Sequence, residues 1–288
     1  MTSQRLAVFY HGEDKILRYK IKDGDRWVDG HGLEGHGCWR RPSAVNYRGV
    51  PHVFCQGAEG GNLWRSAYYD GHWETAQVPG VVDLKSTAGP SAVVHNDAIW
   101  VFHNRGGDSK YTGLWYTIYD GSQWIPDVEL PDTNLDFGPS AVEYRGAIHV
   151  FHGGTRTGRP LWMNVWDDQS NWHGDKQISD AALFRSPGAV VYKDRIWVFH
   201  HDLQDSGGLF YVHQRVHSMT WTNDRAVPNV RLSESPSPIV VGEDLLVFHQ
   251  GGYMNGELWC TKVNDPVSST QVPGVAMQCS PCPILLPG

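Results

Sequence analysis

The sequence repeats at intervals of about 48 residues, and this repeat constrains the fold more than any other feature. A Val-Phe pair recurs at steps of 45, 48, 49, 48 and 49 residues, starting at Val8, Val53, Val101, Val150, Val198 and Val247. A second marker, Pro followed by small residues and then Val or Ile, recurs at steps of 48, 49, 48, 49 and 45 residues, starting at Pro42, Pro90, Pro139, Pro187, Pro236 and Pro281. Two independent markers with one period predict six copies of a single structural unit.

One complete unit, residues 89–130, contains four extended segments separated by turns and no helical periodicity. Asn96-Asp97 and Asp120-Gly121 are its turn dipeptides, because these side chains tolerate the positive φ of tight hairpins. The first segment begins with the small residues Ser91 and Ala92, as expected where several sheets converge on an axis. Each unit is therefore predicted to be a four-stranded antiparallel blade that buries its faces against its neighbours.

The positions of the two markers also predict how the ring closes. The chain opens on a second-strand segment, residues 6–10, and ends on a first-strand segment, residues 280–286. We expect the C-terminal strand to pair with the N-terminal strands, giving a composite blade from 1–30 and 280–288. The predicted fold is all-β: one six-bladed β-propeller domain over residues 1–288, made of four-stranded antiparallel blades and closed by the C-terminal strand.

Composition and charge argue against several classes of partner. The net charge of -7 provides no basic field for nucleic acid or an anionic membrane. The sequence has neither an apolar run of about 18 residues nor a signal-peptide pattern. Five cysteines at irregular spacing favour a reducing compartment: Cys38, Cys55, Cys260, Cys279 and Cys282. We expect a cytoplasmic protein that is a monomer or a small homo-oligomer.

Four histidines occupy the residue after Val-Phe, namely His103, His152, His200 and His249. Tyr10 and Cys55 stand there in the first two copies. A fixed position favours a structural role, with the imidazoles near the inner strand ends and hydrogen-bonded between blades, and direct ligand contact is the alternative. Equivalent positions around a ring are too far apart to share an ion, and no carboxylates are matched to these histidines. We therefore predict no metal and no cofactor.

Tryptophans mark the outer half of each unit. A Leu-Trp pair on the third strand supplies Trp64, Trp115, Trp162 and Trp259, with Phe210 as a substitute. These rings either pack in the core or reach the rim, where an aromatic ring can stack on the apolar face of a sugar. A second set is expected to pin the fourth strand: Trp27, Trp73, Trp124, Trp172 and Trp221.

The loops between the second and third strands vary where the strands do not, and variable polar loops on a scaffold commonly carry binding. They span residues 56–62, 104–110, 153–159, 201–206 and 250–255. The sequence has no Gly-x-Ser-x-Gly elbow and no His-Glu-x-x-His motif, and its Gly-rich loops lack the Lys of a phosphate loop. Cys279-x-x-Cys282 stands alone, so it does not indicate a zinc site.

The repeated Val-Phe-His, Leu-Trp-Tyr-x-x-(Tyr/Trp)-Asp-Gly and following Trp resemble the fucose-lectin-like six-bladed propellers of fungi and bacteria. The resemblance covers the whole chain and implies metal-independent carbohydrate binding between adjacent blades, with an Arg, a Glu and an aromatic residue holding each fucose. Arg18 and Arg65 lie early in third strands, where later copies have Tyr116, Met163, Tyr211 and Cys260. The candidate ligand-binding residues are Arg18, Arg65, Trp64, Trp115, Trp162, Trp259, His103, His152, His200 and His249.

Two functional hypotheses follow. In the first, the protein is a lectin-like binding protein whose aromatic and polar residues hold a glycan or small organic ligand between blades or at the rim. In the second, the divergent loops build one asymmetric apolar pocket at the axis, as in fungal biosynthetic cyclases that resemble lectin-like propellers. Such a cyclase or pericyclase would act by positioning and hydrogen bonding, without a nucleophile or metal. A protein-interaction platform is a third possibility, without specific residue support.

Overall fold

The chain forms six antiparallel sheets arranged as the blades of a β-propeller, as the repeat predicts. The structure is a computed structural model that describes residues 4–31, 33, 37–58, 61–84, 89–105, 112–155, 157–203, 207–215, 218, 220–252 and 255–287. Within that part of the chain, no helix is long and apolar enough to cross a membrane.

The strands of each blade pair in order from the axis outward. Blade 1 contains β25 (Cys282–Leu286), β1 (Arg5–His11), β2 (Leu17–Asp23) and β3 (Arg26–Asp29). Blade 2 contains β4 (Ser43–Tyr47), β5 (Val50–Gln56), β6 (Leu63–Tyr69) and β7 (His72–Gln77). Blade 3 contains β8 (Ser91–His95), β9 (Ala98–Arg105), β10 (Thr112–Tyr119) and β11 (Trp124–Leu135).

The remaining blades follow the same order. Blade 4 contains β12 (Ser140–Tyr144), β13 (Ala147–Gly153), β14 (Pro160–Asp167), β15 (Asn171–Trp172) and β16 (Lys176–Ala182). Blade 5 contains β17 (Gly188–Val191), β18 (Ile196–His201), β19 (Gly208–His213) and β20 (Arg225–Arg231). Blade 6 contains β21 (Ser237–Val241), β22 (Asp244–Gln250), β23 (Leu258–Lys262) and β24 (Ser268–Val272).

Blade 4 differs from the predicted four strands because its outer strand is in two pieces. Both β15 and β16 pair with β14. Between them Gly174 has a φ of +81°, a left-handed conformation that interrupts an extended strand. The break leaves Asp175 beside the cleft described below.

The ring closes as predicted, through the last strand of the chain. β25 pairs antiparallel with β1, with Arg5 opposite Leu286 and Phe9 opposite Cys282. Blade 1 therefore has an inner strand like every other blade, and each inner strand packs beside the inner strands of its two neighbours around the axis.

Small residues on the inner strands allow the blades to approach closely. The serine hydroxyl of one inner strand accepts a hydrogen bond from the backbone of the next, at 2.8–2.9 Å: Ser43 from Ala92, Ser91 from Ala141 and Ser140 from Ala189. In blade 5 this position is Gly188, where an added Cβ would lie 2.3 Å from the carbonyl oxygen of Pro236. The predicted crowding at the axis is thus present.

The fourth-strand tryptophans hold the outer strands in place, as predicted, because each ring packs against the preceding blade. Each ring meets the buried Phe of the neighbouring Val-Phe pair edge-on, with centroids 5.6–6.1 Å apart and planes at 79–89°: Trp27 on Phe248, Trp73 on Phe9, Trp124 on Phe54, Trp172 on Phe102 and Trp221 on Phe151. At the blade 5–6 interface, Phe199 instead contacts Trp197 and Tyr211 of its own blade.

The antiparallel order gives the ring two different ends. Tight turns join the first to the second strands at one end, the turn face, where Asn96 and Asp97 adopt φ of 45° and 55°. The loops between second and third strands lie at the other end, the loop face, together with the connections between blades.

Candidate functional site

Three of the histidines after Val-Phe form hydrogen bonds with aspartates of their own blade. The Nε2 atoms donate to carboxylates on or next to the outer strand at 2.8–2.9 Å: His103 to Asp127, His152 to Asp175 and His200 to Asp224. The imidazoles are fully buried. The expected bonding between blades is therefore wrong, because each bond crosses the third strand within one sheet.

The expectation that no carboxylates match these histidines is also wrong. The partners lie 23 or 24 residues after the histidine, at the end of a Trp-x-x-Asp tetrapeptide in each of blades 3, 4 and 5. Blades 1 and 2 have Gly30 and Ala76 in place of this Asp, and they also lack the histidine. This joint occurrence of His and Trp-x-x-Asp was the sequence signal that could have revealed the pairs.

His249 of blade 6 bonds a backbone carbonyl and a hydroxyl instead of a carboxylate. Its Nδ1 donates to the carbonyl of Gln250 at 3.2 Å, and its Nε2 lies 2.9 Å from the hydroxyl of Thr261. The Thr261 hydroxyl is in turn 2.8 Å from that of Ser269. Burial lowers the pKa of His249 to about 4, so the ring is neutral at pH 7 and accepts the Thr261 proton.

One of these pairs has a second carboxylate beside it. His200, Asp202 and Asp224 offer possible ligand atoms that all lie within 4.8 Å of one another. In blade 3 the residue equivalent to Asp202 is Arg105, whose Nη1 lies 3.4 Å from Asp127. One imidazole and two carboxylates suit a divalent cation in donor type. The predicted absence of a metal stays a prediction.

The third-strand tryptophans are half-buried at the loop-face end of their strands. Trp64 packs against the hydrophobic core of blade 1. Trp115 lies under the guanidinium of Arg105 at 4.9 Å, and Trp259 donates to Glu257 at 3.2 Å. Trp162 lines a cleft and is the one of these four that the structure places in a described cavity.

The two arginines suggested by the lectin resemblance are not equivalent. Arg18 is opposite Tyr10 in the sheet, which is the register of Trp64, whereas Arg65 is opposite Phe54, one position further along. Adjacent positions of a strand point to opposite sides. Arg18 pairs with Asp14 at 2.5 Å, and Arg65 lies over the ring of Tyr119 at 4.8 Å. The structure does not bring either of them to the cleft of Trp162.

That cleft lies between blades 3 and 4 on the loop face and has a volume of about 480 Å³. Its lining combines two indole rings with uncharged and acidic polar groups: Leu130, Pro131, Asp132, Asn134, Gly154, Thr155, Trp162, Asn164, Trp172, Gly174 and Asp175. Blade 3 reaches the cleft because β11 extends to Leu135, past a register shift in its pairing between Gly113 and Leu114.

The floor of the cleft is held in place by hydrogen bonds. Asp175 is fixed by His152, and the buried Asn164 donates to Thr133 of blade 3 at 3.5 Å. Asp132 and Asn134 are exposed at the mouth. The cleft thus presents carboxylate, amide and hydroxyl groups around an indole, an arrangement that can hydrogen-bond a polyol and pack against its apolar face.

Two larger cavities open on the turn face, between blades 4 and 5 (780 Å³) and between blades 1 and 2 (600 Å³). In the first, Tyr144 is covered by the guanidinium of Arg145 at 5.1 Å. In the second, Trp73 packs against Phe9 and Tyr19. Tyr144 and Trp73 therefore each have a packing partner within the protein.

The axis holds a small charged cavity of about 210 Å³ on the loop face. Arg40, Arg41, Arg185 and Glu234 line it. The cyclase hypothesis required an apolar pocket at this place, and the axial cavity gives it no support. Parts of the variable loops, residues 59–60, 106–111, 156, 204–206 and 253–254, lie outside the described residues.

The described sheets define the fold as a six-bladed β-propeller. No protein-family model matches the sequence, and neither does any curated protein. Among solved structures, the Aleuria aurantia lectin, a six-bladed propeller with fucose recognition, is similar over 92% of this chain and 90% of its own, with a TM-score of 0.70 and 15% identity. The SapL1 lectin in complex with alpha methyl fucoside is similar over 95% and 92%, with a TM-score of 0.69 and 16% identity.

Another similar structure is that of a protein that is not named as a lectin. TolB from Acinetobacter baumannii matches 98% of this chain and 67% of its own, with a TM-score of 0.65 and 10% identity. At such identities the likeness shows the fold alone. The six-bladed lectin-type architecture implied by the sequence resemblance is confirmed.

Proposed function

We propose that this protein binds a saccharide in the cleft between blades 3 and 4. The observation that carries the proposal is the composition of the cleft, where the indole of Trp162 lies among Asp132, Asn134 and Thr155 in a space of about 480 Å³. A sugar presents an apolar C–H face to an aromatic ring and hydroxyls to carboxylates and amides. A volume of this size accommodates a mono- or disaccharide.

The likeness to fucose-binding lectins supports the class of ligand. The similar lectin structures include complexes with fucosides, so fucosides are the first ligands to test. The Arg and Glu pair implied for fucose is not among the residues that line this cleft. We therefore expect a saccharide to be held here by acidic and amide groups without an arginine.

A glycan array followed by calorimetric titration of the full chain tests the proposal. We expect one class of glycan to bind at a single site. Trp162→Ala should weaken binding at least about tenfold, as loss of a central aromatic contact does. Trp115→Ala is the matched control, because Trp115 faces His103 in blade 3 as Trp162 faces His152 in blade 4.

The proposal fails if no glycan binds to a folded protein, or if both tryptophan variants weaken binding equally. A second variant, Asp132→Gly, removes an exposed side chain at the mouth of the cleft, and because glycine readily adopts the φ of +58° found there, it should change the free energy of unfolding by less than about 0.5 kcal/mol. It should nevertheless weaken glycan binding, since Asp132 provides hydrogen-bond acceptors at the mouth.

A further inference from the structure

All six blades contribute to the cavity at the axis. The segments that precede the inner strands converge there and supply its lining: Arg40, Arg41, Gly89, Phe137, Arg185, Ser186, Glu234, Ser235, Cys279 and Ser280. Because these segments come from around the whole ring, the cavity exists only when the propeller is closed. It is separate from the saccharide cleft, whose lining residues are all different.

Positive charge is in excess in this cavity. Three guanidinium groups, those of Arg40, Arg41 and Arg185, face a single carboxylate, that of Glu234. Arg185 lies 3.5 Å from Glu234 and offsets its charge. Burial raises the pKa of Cys279, so its thiol is neutral and adds no negative charge. Two positive charges are left without a counter-charge among the described lining residues.

Hydrogen-bond donors in the cavity are also left over. The Nη1 of Arg41 donates to the carbonyl of Pro187 at 3.1 Å. The Nε atoms of Arg40 and Arg41, however, are buried and have no hydrogen-bond partner among the described residues. A buried donor on a charged group without an acceptor destabilises the folded protein, so a ligand that accepts these bonds is favoured.

We propose that the axial cavity binds a small, doubly charged oxyanion. The planar guanidinium group matches the oxygens of sulfate, phosphate or a carboxylate in a two-pronged geometry. Two charges on the ligand equal the excess on the lining, and about 210 Å³ admits an ion of this size but no extended molecule. Binding would join the axial segments of blades 2, 5 and 6, and would thereby stabilise the closed ring.

Thermal unfolding and calorimetry of the full chain test this proposal, with sodium sulfate, phosphate and malonate compared with chloride at constant ionic strength. We expect a saturable rise in Tm with the dianions, since a ligand that binds only the folded state stabilises it in proportion to its occupancy. Phosphate and sulfate acting alike would indicate a tetrahedral anion, and a stronger effect of malonate would indicate a dicarboxylate.

Two variants separate specific binding from the general stabilising effect of these salts. Arg41→Gln should weaken binding at least about tenfold, and Glu234→Gln should strengthen it several-fold, because the excess positive charge rises. Arg48→Gln, which removes an exposed arginine paired with Asp97 on the turn face, is the control and should bind as the parent does. A non-saturating Tm rise that is equal in Glu234→Gln and the parent would overturn the proposal, as would weaker binding by Glu234→Gln.

Discussion

Blades 3 and 6 both bury a histidine after Val-Phe, but they satisfy it in different ways. In blade 3, Nε2 of His103 donates to a carboxylate, and Nδ1 has no described partner. In blade 6, Nδ1 of His249 donates to a backbone carbonyl, and Nε2 accepts from a hydroxyl. Nε2 is therefore a donor in blade 3 and an acceptor in blade 6, although the two rings occupy the same position in the repeat.

The difference comes from one tetrapeptide. In blade 3, Trp124-Ile-Pro-Asp127 sends its indole onto Phe54 of the preceding blade and its carboxylate onto the histidine of its own blade. β24 of blade 6 contains neither residue, and both the interblade ring contact and the histidine–carboxylate hydrogen bond are missing among the described residues there. A single outer-strand element thus holds a blade together internally and attaches it to its neighbour.

The largest loss of stability should follow removal of the tryptophan of this tetrapeptide, which contacts the preceding blade. Trp124→Ala removes a half-buried ring that packs on the fully buried Phe54, and we expect a loss of about 3–4 kcal/mol in the free energy of unfolding, at the lower end of the range for Trp truncation. Ser268→Ala in the exposed part of β24 should change it by less than about 0.5 kcal/mol. Urea denaturation measures the stability of both variants. Equal losses in Trp124→Ala and Ser268→Ala would show that the outer strand of blade 3 contributes no more to stability than that of blade 6.

Removal of the aspartate of the tetrapeptide, which bonds within its own blade, should lower the free energy of unfolding somewhat less. Asp127→Ala leaves His103 and Arg105 without their carboxylate, and we expect a loss of about 3 kcal/mol. Asp127→Asn keeps an acceptor for the imidazole and should cost less. If the alanine and asparagine variants unfold at the same urea concentration as the parent, the ion pair contributes nothing to stability.

Acid should destabilise the protein through its neutral buried histidines. The pKa of His249 is lowered to about 4 by burial, against about 6.5 in an unfolded chain. Between these values the unfolded state binds the additional proton, so stability is complete above pH 6.5 and is lost as the pH falls toward 4. The loss from His249 at pH 5 is about 2 kcal/mol.

His249→Gln should reduce the difference in unfolding free energy between pH 7.5 and pH 5 by that amount. Ser268→Ala serves as the control and should keep the parent's pH dependence. His52, His149 and His201 also have pKa values lowered to about 4 by burial, so part of the acid sensitivity should remain in the histidine variant. An unchanged pH dependence in His249→Gln would show that His249 is not the group that titrates.

The smallest effect is expected at the hydroxyl partner in blade 6. Thr261→Val keeps the shape of the side chain but removes a neutral hydrogen bond to His249, which costs about 1 kcal/mol. A loss equal to that of Asp127→Ala would mean that the neutral and charged arrangements are energetically equivalent. Both variants can be compared in the same urea titration.

The fold was predictable because its determinants are local and repeated. Val-Phe pairs mark the second strands, and small residues such as Ser91 and Gly188 mark the crowded inner ones. Even the closure by β25 follows from the order of the two markers. The break in the outer strand of blade 4 was not predicted, since it depends on a single left-handed residue, Gly174.

The candidate site was predictable only in part. Trp162 was identified as a possible sugar platform, but Asp132 and Asn134 enter the cleft through an irregular extension of β11 that no repeat marks. Arg185 is 144 residues after Arg41 in the chain, and the two line one cavity only because the ring closes. Contacts that depend on this convergence leave no spacing pattern in the sequence.

The closing strand also determines how the protein would be oriented when it is immobilised on a support. Arg5 and Leu286 are paired neighbours at the turn face, whereas the saccharide cleft and the axial cavity open on the loop face. A tether at either of these two residues would therefore orient both cavities away from the support.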